Sequence, residues 1–138
     1  MAMGIYRTLN CIDYINEKPV IEVSVYSGRK GWVSFKIPID TGFSGEILLP
    51  SDVYHELAEL ELPRELFPVY TTLIGEVPMR RSIALIKVYG LEFEGYIETP
   101  IYGGGKYLIG RRLLRKINIA LLGRKLKTCN LKEIESEA

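Results

Sequence analysis

Apolar and polar residues alternate along most of the chain, and that alternation predicts strands. Val20-Ile21-Glu22-Val23-Ser24-Val25-Tyr26 carries it, as does the run from Trp32 to Ile39, and the glycines of Ser27-Gly28-Arg29-Lys30-Gly31 suit a hairpin turn between them. Glu46-Ile47-Leu48-Leu49 reads as a short buried strand. Ser51 is placed to cap a helix reaching about Leu60, with Asp52 in its first turn, and Pro63 closes the region. Further strands are expected from Phe67 to Leu73, Met79 to Tyr89 and Leu91 to Glu98. Gly75-Glu76-Val77-Pro78 is expected at one hairpin tip and Gly90 at the next turn. A glycine loop over 102–106 leads to the strand Tyr107-Leu108-Ile109-Gly110. Apolar residues at 113, 114 and 117 then predict a short amphipathic helix from Arg111 to Ile117. Ile119–Leu122 and Lys125–Leu131 form an expected closing hairpin, and the tail is expected to fray from about residue 132.

This pattern is mainly β, and no repeat or composition shift divides it, so residues 1–138 are read as a single domain. Hydrophobic residues make up 47% and charged residues 25%, which suits a packed globular chain rather than a disordered one. Eighteen basic residues against seventeen acidic leave a net charge of +1, so no overall field selects nucleic acid or a membrane surface. No apolar run approaches the roughly 18 residues of a membrane span, and the N-terminus lacks the form of a signal peptide. The cytoplasm is the expected location. Cys11 and Cys129 match no zinc or redox spacing. They are expected as reduced structural thiols, since a bond between them requires the terminal segments to pair.

One acid breaks the apolar pattern. Asp40 ends the run Ile37-Pro38-Ile39, and Thr41-Gly42 turns the chain immediately before a second apolar run. The plain reading is a turn, because Asp and Gly favour turns without any chemistry. The chemical reading starts from desolvation. Two such acids within a few ångströms cannot both ionise readily, so they share one proton. The pair then supplies a general base to activate water and a general acid to polarise a carbonyl. Gly42 lets backbone approach the carboxylates.

Ile39-Asp40-Thr41-Gly42-Phe43-Ser44-Gly45 and Ile47-Leu48-Leu49, followed later by Tyr107-Leu108-Ile109-Gly110-Arg111-Arg112-Leu113-Leu114, resemble the retropepsin-like aspartic proteases of clan AA. Those proteins have an Asp-Thr/Ser-Gly loop, a glycine-tipped flap and a late apolar-apolar-Gly motif opening a short helix. The resemblance covers roughly residues 18 to 130 and is nearest the stand-alone microbial members. It implies an acid-protease β-barrel with a short C-terminal helix, and peptide-bond hydrolysis without metal or cofactor. This chain has one Asp-Thr-Gly loop, so the resemblance also implies a homodimer in which Asp40 meets the partner subunit's Asp40 on a two-fold axis.

By the same resemblance Asp40 is the catalytic acid and base, Thr41 grips the neighbouring loop, and Gly42 offers backbone contacts to a polypeptide substrate. Ile74, Gly75 and Glu76 fall at the flap. Ile109 and Gly110 pack behind the site, with Arg111 opening the supporting helix. Where many viral members carry an acid two residues after the glycine, this chain has Ser44, so that either Glu46 or no residue takes the role of ion partner to Arg111. Phe43 is large enough to reshape the pockets and has no hydroxyl to stabilise a charged dyad, which predicts an optimum less acidic than pepsin's.

Three other readings compete. His55, the sole histidine, has no partner that would make it a ligand or catalytic base, and is read as a surface residue. The basic residues around Arg111–Lys116 and Arg124–Lys127 are read as a solvated face rather than a phosphate site. The same fold with an idle site, holding extended peptides as added strands, is the alternative to the enzyme.

Overall fold

The computed structural model describes residues 5–134. In chain order the strands are β1 (Ile5–Asp13), β2 (Val20–Ser27), β3 (Gly31–Pro38), β4 (Ile47–Leu48), β5 (Leu60–Glu61), β6 (Val69–Thr72), β7 (Gly75–Val88), β8 (Leu91–Pro100), β9 (Leu108–Ile109), β10 (Ile119–Leu122) and β11 (Lys127–Ile134). Two short helices, α1 (Ser51–Leu57) and α2 (Arg111–Leu114), interrupt them.

Eight strands form one sheet whose main path runs β3-β2-β7-β8-β4-β9, with β5 and β6 added along β7. The alternation along β2 works as expected: Ile21, Val23 and Val25 are buried while Glu22 and Tyr26 face out. In β7 the even positions Ser82, Ala84, Ile86 and Val88 enter the same core, joined by Ile37, Ile47, Ile97, Ile109 and Leu113. Each such aliphatic side chain stabilises the fold by about 1.5–3 kcal/mol on full burial. The two ends of the path meet where Ile39, just past β3, bridges Ile109 of β9 in parallel. That bridge closes the sheet on itself, and Asp40 is the next residue after the seam.

Several local expectations are corrected. Ser51 is the first helical residue rather than a cap, Pro50 precedes it, and α1 ends at Leu57. Proline at the flank offers a preset φ but no side-chain acceptor. The hairpin tip lies at Leu73-Ile74, not at Gly75–Pro78: Val69, Tyr70, Thr71 and Thr72 pair with Pro78, Val77, Glu76 and Gly75. Arg111 opens a helix of one turn that stops at Leu114, although Leu113 and Ile117 are both buried as the apolar pattern requires. β11 is assigned as far as Ile134, and the rest of the tail expected to fray, residues 135–138, lies outside the described residues.

The terminal segments do pair. β1 runs antiparallel to β11, which also pairs with β10, in a separate three-stranded sheet. The register sets Cys11 opposite Cys129, and the two are joined in a disulfide rather than left as free thiols. The bond closes 118 residues of sequence. Reduction is therefore expected to cost about 2–5 kcal/mol, read as a lower denaturant midpoint in a thiol reductant and abolished by Cys11→Ser.

Candidate active site

The Asp40 turn is built from backbone hydrogen bonds on both sides. The Asp40 N–H donates to Ile109 O at 2.8 Å, fixing the loop to β9. One carboxylate oxygen, Oδ1, accepts the Gly42 N–H at 2.8 Å, and the Phe43 N–H donates to Asp40 O at 3.1 Å. An aspartate bonded to the backbone two residues on is a common turn device, so this bond alone does not distinguish structure from chemistry. Asp40 is half-buried and lines a groove of about 450 Å³.

That groove also takes in Gly42, Phe43, Ser44 and Arg111 from the predicted motifs, together with Leu48, Met79 and Leu108. Its far wall is β6, through Val69, Tyr70, Thr71 and Thr72. Phe43 does not obstruct the opening. Its ring turns inward, is almost wholly buried, and meets the Tyr70 ring edge-on with centroids 5.3 Å apart. Thr41 is exposed beside the groove. Ile109 is fully buried in the core, and Gly110 is buried behind the loop.

The start of α2 holds the loop from behind. N–H groups of Gly110, Arg111 and Arg112 donate to the carbonyls of Glu46, Phe43 and Gly45 at 2.9, 2.9 and 3.1 Å. These are the donors that any helix start leaves without an intrahelical partner, and here they are spent on the Asp40 loop. The Glu46 carboxylate adds a side-chain tie. It is buried, accepts the Tyr96 N–H, and takes Lys116 Nζ at 2.8 Å with Arg112 Nε at 3.6 Å. Glu46 thus pairs with Lys116 and Arg112 and not with Arg111, which lines the groove.

The β6–β7 hairpin stands beside this groove. Leu73 and Ile74 at its tip are essentially fully exposed, at 107% and 95%. Gly75 follows with φ +123°, a conformation that L side chains rarely adopt. Ile74, Gly75 and Glu76 are therefore at or beside the tip, while Leu73 was not singled out from sequence. Two further residues were missed: Tyr70, which lines the groove, and Glu98, which accepts its hydroxyl. Glu98 carries the same signal as Asp40, an acid inside an apolar run, and that signal was available in Tyr96-Ile97-Glu98-Thr99. Burial pushes the Glu98 carboxyl above the usual carboxylate range and raises the Tyr70 phenol as well.

His55 is exposed on α1. Among the described residues no group of three or more His, Cys, Asp or Glu side chains is placed to hold a metal ion.

No protein-family model and no curated protein matches the chain. Solved structures do. A retropepsin-like aspartic protease from Rickettsia conorii matches with a TM-score of 0.54 and 14% identity, over 98% of this chain and 100% of that one. The EIAV protease, solved with the inhibitor HBY-793, matches with a TM-score of 0.54 and 16% identity, over 76% of this chain and 93% of that one. The fold is that of an aspartic protease. More narrowly, it is the retropepsin-like fold, with one Asp-Thr-Gly turn in the chain.

Proposed function

We propose that the protein is an aspartic endopeptidase that works as a homodimer, with Asp40 and the partner subunit's Asp40 forming the dyad. The observation that carries this reading is the placement of Asp40: half-buried at the seam of the sheet, fixed by Ile109 O and the Gly42 N–H, and open to a groove walled by a hairpin. A chain with one such turn holds half of a dyad, so the second carboxylate must come from a second copy. The dimer puts two acids close enough to share a proton. The ionised one takes a proton from water as it attacks the peptide carbonyl, and the protonated one polarises that carbonyl's oxygen.

The chain's other groups position this chemistry. The Gly42 N–H orients one Asp40 oxygen, and α2 holds the loop through three backbone bonds. Thr41, exposed beside the turn, is read as the grip on the partner's loop. Ile74, Gly75 and Glu76, with Leu73, form the flap that covers a polypeptide substrate laid along the groove. Phe43, Leu48, Met79 and Leu108 give that groove apolar walls, which suits apolar side chains at the cleaved bond. With Phe43 offering no hydroxyl to the dyad, the optimum should be less acidic than pepsin's.

Residues 1–138 are read as one domain with neither nucleic acid nor membrane as partner; no described helix is long and apolar enough to cross a bilayer. The cytoplasm remains the proposed compartment, and the Cys11–Cys129 bond is the observation that counts against it, since disulfides persist chiefly in oxidising surroundings.

The test is cleavage of an unfolded polypeptide between roughly pH 3 and 7, at chain concentrations spanning the monomer–dimer equilibrium. Proteolysis should disappear on dilution together with the dimer. A dimer that cleaves nothing anywhere in that range would leave the idle peptide-binding form of the same fold.

A further inference from the structure

Glu98 is fully buried in β8, where an unpaired carboxylate is expensive. Its partners come from two elements. The Tyr70 hydroxyl lies 2.6 Å from Oε2 and 2.9 Å from Oε1. Arg81 brings Nε to 3.0 Å and Nη2 to 2.8 Å from Oε1. Arg81 belongs to the body of the sheet, directly across from Glu98 on β7. Tyr70 does not: it sits on β6, which among the described residues pairs with β7 alone.

The register explains how one face collects these groups. Tyr70 lies opposite Val77, and Val77, Met79 and Arg81 share the odd-numbered face of β7. Glu98 and Tyr96, opposite Arg81 and Ile83, continue that face on β8. β8 thereby becomes a common reference for the two halves of the groove. The Asp40 loop is tied to it where the Tyr96 N–H donates to Glu46, and the hairpin is tied to it where Glu98 accepts from Tyr70. Arg81 stacks over the Tyr96 ring, 4.4 Å from its centroid, and joins the two ties.

We infer that Tyr70 is a positioning residue: its hydrogen bond to buried Glu98 fixes the height of the β6–β7 hairpin over Asp40, and with it the width of the groove that receives the substrate. The inference rests on the reading of Asp40 as the reacting group. Apolar contact alone would not set this height, because Phe43, Leu48 and Met79 beneath the hairpin offer non-directional packing that tolerates sliding. A hydrogen bond to a carboxylate is short and directional.

Tyr70→Phe tests it, since the ring and its contact with Phe43 remain and only the hydroxyl goes. Tyr26→Phe, at an exposed tyrosine of β2, is the control. Amides of residues 69–77 and 79 are expected to exchange about tenfold faster in Tyr70→Phe, with those of β2 and β8 unchanged. The KM for an unfolded polypeptide should rise about tenfold while kcat is little altered. Glu98→Gln keeps an acceptor for the hydroxyl and should fall between wild type and Tyr70→Phe in both readouts. Unchanged exchange at 69–77 and 79, equal acceleration across the whole chain, or a fall in kcat at constant KM would each overturn the inference. Exchange needs no turnover, so its outcome stands apart from the protease reading. Local loosening in a chain that never cleaves would sustain the anchor and sink the enzyme, whereas cleavage lost in Asp40→Asn but indifferent to Tyr70→Phe would do the reverse.

Discussion

Asp40→Asn is expected to abolish cleavage while leaving the fold in place. The amide keeps an oxygen to accept the Gly42 N–H, and the backbone bond to Ile109 O does not involve the side chain. Stability should therefore change by no more than about 1 kcal/mol. Chemistry is another matter. An amide neither takes a proton from water nor shares one, and a single substitution in the gene removes both acids of the dimer. Each positioned acid or base contributes about 10²–10⁴-fold, and because both are lost at once a fall of at least about 10⁴-fold is expected. Mixing sharpens the result: wild-type chains titrated with Asp40→Asn chains should lose activity as mixed pairs form, because a mixed pair carries one carboxylate. Turnover surviving in the variant would end the aspartic mechanism. Unchanged activity on mixing would end the shared site. Peptide binding retained by both proteins, with cleavage by neither, is what the idle-site dimer predicts.

The parts of this fold that were legible in the sequence are those whose cause is local. β2 and β3 follow from strict alternation flanking a glycine turn, and β7 and β8 meet at the Tyr89-Gly90 turn for the same reason. The turn after Asp40 was legible because Asp and Gly favour turns and apolar runs flank them on both sides. What escaped depends on partners distant in sequence. Nothing in Ile5–Asp13 demands a strand by itself; it becomes one because β11 offers an edge, and that same register brings Cys11 to Cys129. The hairpin tip was assigned to the glycine, yet the turn falls two residues earlier, where Val77 and Pro78 can pair with Tyr70 and Val69. Pairing outweighed turn propensity there. Of the two alternatives for Arg111, Glu46 or no ion partner, the structure has the second, and Glu46 pairs with Lys116 and Arg112, since which basic residue reaches it depends on the direction of a one-turn helix. Glu98 and Tyr70 are 28 residues apart, and only the folded sheet makes them neighbours.

Gly110→Ala should damage the site from behind, and with it the whole domain. A β-carbon at this position would stand 2.7 Å from Phe43 Cδ2 and 2.8 Å from the carbonyl carbon of Gly45, with the Gly45 oxygen closer still. The Gly110 backbone is ordinary, at φ −99° and ψ 174°, so the obstacle is space rather than conformation. Flexible side chains give way cheaply, but this neighbour is backbone, and it belongs to the Asp40 loop. Relief requires α2 to withdraw, which stretches the N–H bonds from Gly110, Arg111 and Arg112 to Glu46, Phe43 and Gly45. Overpacking costs about 1–3 kcal/mol, and each weakened hydrogen bond adds about 1 kcal/mol. The sum lies near the top of what single substitutions do. A fall in Tm of about 10–20 °C is expected, with cleavage lost at temperatures where the variant is still folded, because the loop that shifts is the one presenting Asp40. Gly123→Ala is the matching control, since a β-carbon there meets nothing within 4 Å. Should the two variants melt together, α2 does not grip the loop as closely as these contacts require. Should Gly110→Ala melt early yet cleave normally below its transition, the helix supports the fold without positioning the acid.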